Sequence, residues 1–60
     1  MHAEIVGDDD KLLWSGDLGY VPGPGEKIDL AGQLVVVTDR LIFFRGDVQC
    51  VRLWVEEIVQ

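Results

Sequence analysis

Few side chains in this sequence are equipped for covalent or acid–base chemistry. Ser15, Thr38 and Cys50 are the hydroxyl and thiol candidates, and His2 is the only imidazole. A working nucleophile needs a base within hydrogen-bond reach and a third group to orient that base. His2 lies beside the start of the chain with no such group placed to hold it. Cys50 sits in a run of strand-forming residues and is read as a small apolar packing residue. Asp8, Asp9, Asp10, Glu56 and Glu57 supply carboxylates in plenty. Adjacent acids on a strand point to opposite faces and acids in a tight turn point to water, so neither group reads as the paired carboxylates of a hydrolase. The expectation is a protein that is not an enzyme.

Metal and phosphate chemistry fare no better. A calcium loop of the EF-hand kind spaces its ligands at alternate positions and closes with a glutamate, unlike the consecutive Asp8-Asp9-Asp10. One cysteine and one histidine cannot build structural zinc, and a lone cysteine excludes a disulfide within the chain. The glycine-rich stretch Gly16 to Gly25 has no lysine or arginine and leads into no helix whose N-terminus would hold an anion. No cofactor and no metal is expected.

The elements that carry these residues are short. Ala3 to Val6 and Leu12 to Ser15 flank the polar cluster Gly7 to Lys11, which predicts a β-hairpin with an acidic tip. Gly16 to Glu26, rich in glycine and containing both prolines, predicts a connecting loop. Lys27-Ile28-Asp29-Leu30 alternates as a half-buried strand does, and Ala31-Gly32-Gln33 predicts a turn. Leu34 to Val37 is apolar on both faces, as in a strand buried on both sides or one whose outer face meets another chain. Thr38-Asp39-Arg40 is either a turn or part of one long bent strand reaching Phe44, the second reading being preferred. Arg45-Gly46-Asp47 predicts the next turn, and Val48 to Val59 the last strand, with Val51, Leu53 and Val55 on one face and Cys50, Arg52 and Trp54 on the other. Five strands in 60 residues bury their apolar faces most economically by closing on themselves. The expected fold is all-β, a small five-stranded, partly open barrel occupying residues 1–60 as a single domain.

The run Pro22-Gly-Pro-Gly-Glu-Lys-Ile-Asp-Leu-Ala-Gly32, then a β-branched strand and the closing Val51-Arg-Leu-Trp-Val-Glu-Glu-Ile58, resembles a loose group of short bacterial and phage proteins with SH3-like barrels. In that group a Pro-x-x-Gly-Glu turn leads into a strand, a glycine turn and a long β-ribbon, places held here by Pro22, Gly25, Glu26 and Gly32. The resemblance implies an SH3-like barrel and no activity. Leu34 to Phe44 is also similar to a strand pair of pleckstrin-homology-like domains, which are larger and carry a closing helix.

Charge and apolar surplus bear on partners. Eleven acidic against five basic side chains give a net charge of −6, which opposes phosphate backbones and anionic lipid. Direct nucleic-acid binding is disfavoured, and no membrane is expected, because an apolar run such as Leu34 to Val37 is far short of the ~20 residues of a membrane span. The start lacks a basic, then apolar, secretion signal, and a cytoplasmic location is the expectation. One small interior cannot hold both Val35, Val37, Ile42, Phe44 and Trp54 and also Leu34, Val36, Leu41, Phe43, Leu53 and Val55, so one set is expected to be partly outside. Arg52, Trp54, Phe44 and Ile42 are the candidate protein-binding residues, tryptophan and arginine being enriched where binding energy concentrates. Asp8, Asp9, Asp10 and Asp17 form the candidate acidic surface.

The expected function is a non-catalytic protein–protein interaction module, its partner another protein or a second copy in a homo-oligomer. One alternative is a small acidic inhibitor of phage or mobile-element type that mimics nucleic acid and blocks a basic groove. The other is a barrel that binds single-stranded nucleic acid or a ligand through Trp14, Tyr20 and Trp54.

Overall fold

The computed structural model of the chain describes residues 1–59, and every one of its regular elements is a strand. They are β1 (His2–Val6), β2 (Leu12–Asp17), β3 (Lys27–Leu30), β4 (Gln33–Arg45) and β5 (Val48–Glu57). A single sheet has the order β2-β1-β5-β4-β3. All neighbours are antiparallel except β1 and β5, which run side by side in parallel with His2 opposite Cys50 and Val6 opposite Trp54. The sheet curls until its two end strands, β2 and β3, face each other across one unsealed seam, giving a nearly closed barrel.

Turn chemistry sets the reversals. Ala31 and Gly32, with φ of 51° and 94°, form the two-residue link between the paired Leu30 and Gln33, a type I′ geometry that matches the twist of the strands it joins. Gly46, with φ of 61°, takes the first central place of the two-residue turn closed by Arg45 and Val48, where type II′ geometry favours glycine. The expected boundaries shift a little: Gly16 and Asp17 belong to β2, Gln33 and Arg45 to β4, and β5 stops at Glu57. Gly16 stays in the strand because the Trp14 ring lies over it; a Cβ there would sit 2.8 Å from Trp14 Cζ2.

The chain passes through Thr38 as one bent strand. Val37 opposes Val55 and Asp39 opposes Trp54, so Thr38 is the extra residue of a bulge, and its hydroxyl donates to the Trp54 carbonyl at 3.2 Å. A bulge reverses the alternation of faces. Val35 and Val37 point into the barrel, and beyond the bulge it is Arg40 and Ile42 that lie opposite the inward Leu53 and Val51. The interior therefore consists of Ala3, Ile5, Val35, Val37, Val51, Leu53 and Val55, with Leu18, Val21, Ile28 and Leu30 packed against it. The two expected apolar sets are not divided as inside against outside. Trp54 leaves the first set for the outer face, while Leu53 and Val55 of the second are core.

Candidate interaction surface

At ~3.3 Å per residue the 13 residues of β4 span about 40 Å, which is the long dimension of the 40 × 23 × 19 Å molecule. Its first half is covered on both edges. β3 pairs with Gln33 to Val36, and the Val37 backbone exchanges 2.8 Å hydrogen bonds with Gly25 and Glu26. From Asp39 to Arg45 the strand pairs only with β5, so among the described residues its other edge carries a row of backbone donors and acceptors that no strand meets, the Arg40 N–H being held locally by Asp39 Oδ1. The distal hairpin also exposes Leu41 (50%), Ile42 (43%), Phe44 (64%) and Val48 (58%). Proteins normally blunt such an edge with charge or proline. Here charge stands only at the ends, as Asp39, Arg40 and Arg45, around Leu41-Ile42-Phe43-Phe44.

The four candidate binding residues do not form one patch. Leu41 opposes Arg52 and Asp39 opposes Trp54, which puts Arg52 and Trp54 on the outer face of the sheet. Ile42 opposes Val51 and Phe44 opposes Gln49, on the other face. Arg52 is occupied within the chain: its Nε and Nη2 donate to Glu4 Oε1 at 3.2 and 2.9 Å, while Arg45 Nη2 donates to Glu4 Oε2 at 2.9 Å. Both guanidinium groups lie over the Phe43 ring, at 5.3 and 5.6 Å from its centre. The Glu4 side chain is only 13% exposed, and the bond from Arg52 is the main reason its carboxyl titrates below the ordinary glutamate range. Partial desolvation opposes that shift and Arg45 reinforces it. Parallel pairing of β1 with β5 brings Glu4 opposite Arg52, a neighbour relation that spans 48 positions of sequence.

Trp54 is half-buried, and its Nε1 donates to Asp10 Oδ1 at 3.3 Å. Asp10 takes the left-handed conformation, φ 55°, at the tip of the β1–β2 hairpin beside Asp8 and Asp9. Asp17 lies at the opposite end of β2, opposite His2, so the expected acidic residues fall at two ends of one hairpin. Cys50 is buried on the outer face between the His2 and Phe43 positions. Among the described residues no three His, Cys, Asp or Glu side chains converge as metal ligands would.

A cleft of about 400 Å³ follows the unsealed seam between β2 and β3. Leu13, Trp14, Leu18, Tyr20, Ile28 and Leu30 are among its walls. Trp14 and Tyr20 thus share one site, whereas Trp54 belongs to the opposite side of the sheet. Sequence reading places Leu41 and Val48 in the apolar ribbon, Leu34 to Phe44 and Val48 to Val59, through which it expects association, but its four candidate binding residues leave them out together with the end charges Asp39, Arg40 and Arg45 that bracket the run Leu41 to Phe44. No known family model, curated protein or solved structure matches this chain.

Proposed function

We propose that this chain is a non-catalytic protein–protein interaction module that takes its partner as an added strand along Asp39–Arg45 of β4. The observation that carries this reading is that edge: seven consecutive residues that, among the described residues, have no strand on the side away from β5, with Leu41, Ile42 and Phe44 exposed among them. Main-chain bonds to the added strand supply affinity, and alternate side chains supply selectivity. Folding gains little from burying these residues where they stand, whereas association removes them from water. The proposal includes an SH3-like form of the barrel and a cytoplasmic location. Ile42→Lys tests it, because a charge at the centre of the edge opposes any added strand while lying outside the barrel interior. The immobilised wild type is expected to retain a polypeptide, its own copy or another protein, that then titrates against the purified chain and is lost with Ile42→Lys. Retention unchanged in that variant refutes the edge as the site.

A ligand-binding barrel is the second reading with an observation behind it, the apolar cleft that Trp14 and Tyr20 share. Quenching of Trp14 fluorescence by a bound ligand, abolished by Tyr20→Ala, would favour it over strand addition.

A further inference from the structure

Resting on the strand-addition reading, we propose that the partner is a second copy of this chain, paired antiparallel to the first through β4 about a two-fold axis at Ile42. Two separate observations place the axis there.

The first is the extent of the free edge. On one side it stops where Val37 is held by Gly25 and Glu26 and Thr38 bulges; on the other it stops at the Gly46 turn. The open window is Asp39–Arg45, and its middle residue is Ile42. Two such windows of equal length overlap fully only when Ile42 meets Ile42. Any displaced register drives a turn or a covered edge against the other molecule.

The second is the order of side chains inside the window. In that register Asp39 faces Arg45 of the second copy, Arg40 faces Phe44, Leu41 faces Phe43, and Ile42 faces itself. Opposite charges, a cation over an aromatic ring and two apolar pairs are the cross-strand combinations that stabilise an antiparallel ladder. Each pair other than the central one occurs twice by symmetry. Among the described residues Asp39 enters no ion pair, its Oδ1 accepting the Arg40 backbone N–H at 2.8 Å, so a carboxylate oxygen remains for Arg45 of the second copy.

Charge distribution permits the approach. Residues 39–52 hold Arg40, Arg45 and Arg52 against Asp39 and Asp47, whereas the rest of the chain sets nine acids against two lysines. Antiparallel pairing sends the two acidic bodies to opposite ends of the joined ribbon. The two Val37 positions are then ten residues apart along the strands, about 33 Å, several times the ~8 Å screening length at physiological salt. A seven-residue edge buries less than the ~800 Å² per partner of a standard interface, so the dimer is a weak one.

Single cysteines at positions 40, 42 and 44 read the register directly. These positions share one face, and only residue 42 meets its own counterpart at a Cα separation a disulfide can bridge, ~4.4–6.8 Å. Residues 40 and 44 stand about 13 Å from theirs, four residues along the ladder. Under mild oxidation Ile42→Cys should give covalent dimer at least tenfold faster than Arg40→Cys or Phe44→Cys, with the wild type, whose Cys50 is buried, as the blank. In sedimentation equilibrium up to about 1 mM, Asp39→Arg should weaken the dimer about tenfold by opposing two arginines in each of two pairs. Faster cross-linking at 40 or 44, or equal rates at all three positions, overturns the register. A wild type monomeric throughout, with no cross-link at 42, overturns the second copy as partner; loss of a different captured protein with Ile42→Lys would leave strand addition standing.

Discussion

Ala31 holds a backbone geometry that suits a different side chain, and replacing it should stabilise the fold by a calculable amount. Its φ of 51° lies in the left-handed region, where an L-residue with a Cβ is disfavoured by roughly 1–2 kcal/mol. The turn cannot relax out of it, because Leu30 pairs with Gln33 on either side and the Gly32 N–H is held by Asp29 Oδ1 at 2.8 Å. Asparagine tolerates this region several-fold better, and Asn-Gly is the preferred pair for a type I′ turn. Ala31→Asn should therefore recover about 1 kcal/mol. At ~2.1 cal/mol/K of unfolding entropy per residue, a chain of 60 residues has about 0.13 kcal/mol/K, which converts that gain into a rise of about 8 °C in Tm. Ala31→Gly relieves the same clash but adds freedom to the unfolded chain, costing about 0.4–1 kcal/mol, so its rise should be smaller. Ala31→Val, β-branched, should lower Tm. Thermal melts followed by circular dichroism at one fixed protein concentration decide the matter, the fixed concentration removing any contribution from self-association. An order other than Asn above Gly above Val, or no rise with Asn, would refute strain at Ala31 as the reason.

Two further outcomes follow from the interior and from the outer face. Leu53 is fully buried, and Leu53→Ala should cost about 2–5 kcal/mol, comparable with the ~3–5 kcal/mol that so small a core supplies. Urea titration should find that variant largely unfolded, while Leu41→Ala, exposed on the distal hairpin, stays within about 0.5 kcal/mol of wild type at dilute, monomeric concentration. Glu4, bound by Arg52 and Arg45, has its folded-state pKa lowered, so its contribution is present above the unfolded value and is lost as pH falls through the folded one. Glu4→Gln should thus lower the urea midpoint at pH 7, and the gap to wild type should close below about pH 4, where an ordinary glutamate protonates; a gap that widens in acid would contradict the arrangement.

Local turn chemistry and period-two alternation made much of this fold legible. Lys27–Leu30, the reversal at Gly46, the continuous bent β4 and the inward Val51, Leu53 and Val55 all follow from neighbours a few residues apart. Strand order does not. That β1 lies parallel to β5 depends on contacts across almost the whole chain, and with it went the Glu4 bridge that occupies Arg52. Gly16 misled for a related reason: glycine signals a loop until the Trp14 ring is known to occupy the place of its side chain. The four candidate binding residues were chosen by type, and type says nothing of which side of a bulge a residue falls on.

The Thr38 bulge then links fold to function. Without it β4 would continue its original alternation and present Leu41 and Phe43 on the inner side, where Val51 and Leu53 have their neighbours. With it, Ile42 and Phe44 continue the inner face past the end of β3, on a strand that nothing covers. Ordering each residue of this extension costs roughly 1–2 kcal/mol of backbone entropy, and a two-stranded ribbon by itself is only marginally stable in water. Part of that cost is offset on the outer face, where Phe43 lies under Arg45 and Arg52 and both arginines grip Glu4 of the barrel. Among the described residues the inner side of Ile42 and Phe44 and their outward backbone groups have no such compensation. The outer-face contacts therefore hold the ribbon in an extended form, so that under the proposed strand addition the ordering cost would be met before a partner arrives and the affinity of a narrow edge would be raised by that pre-organisation.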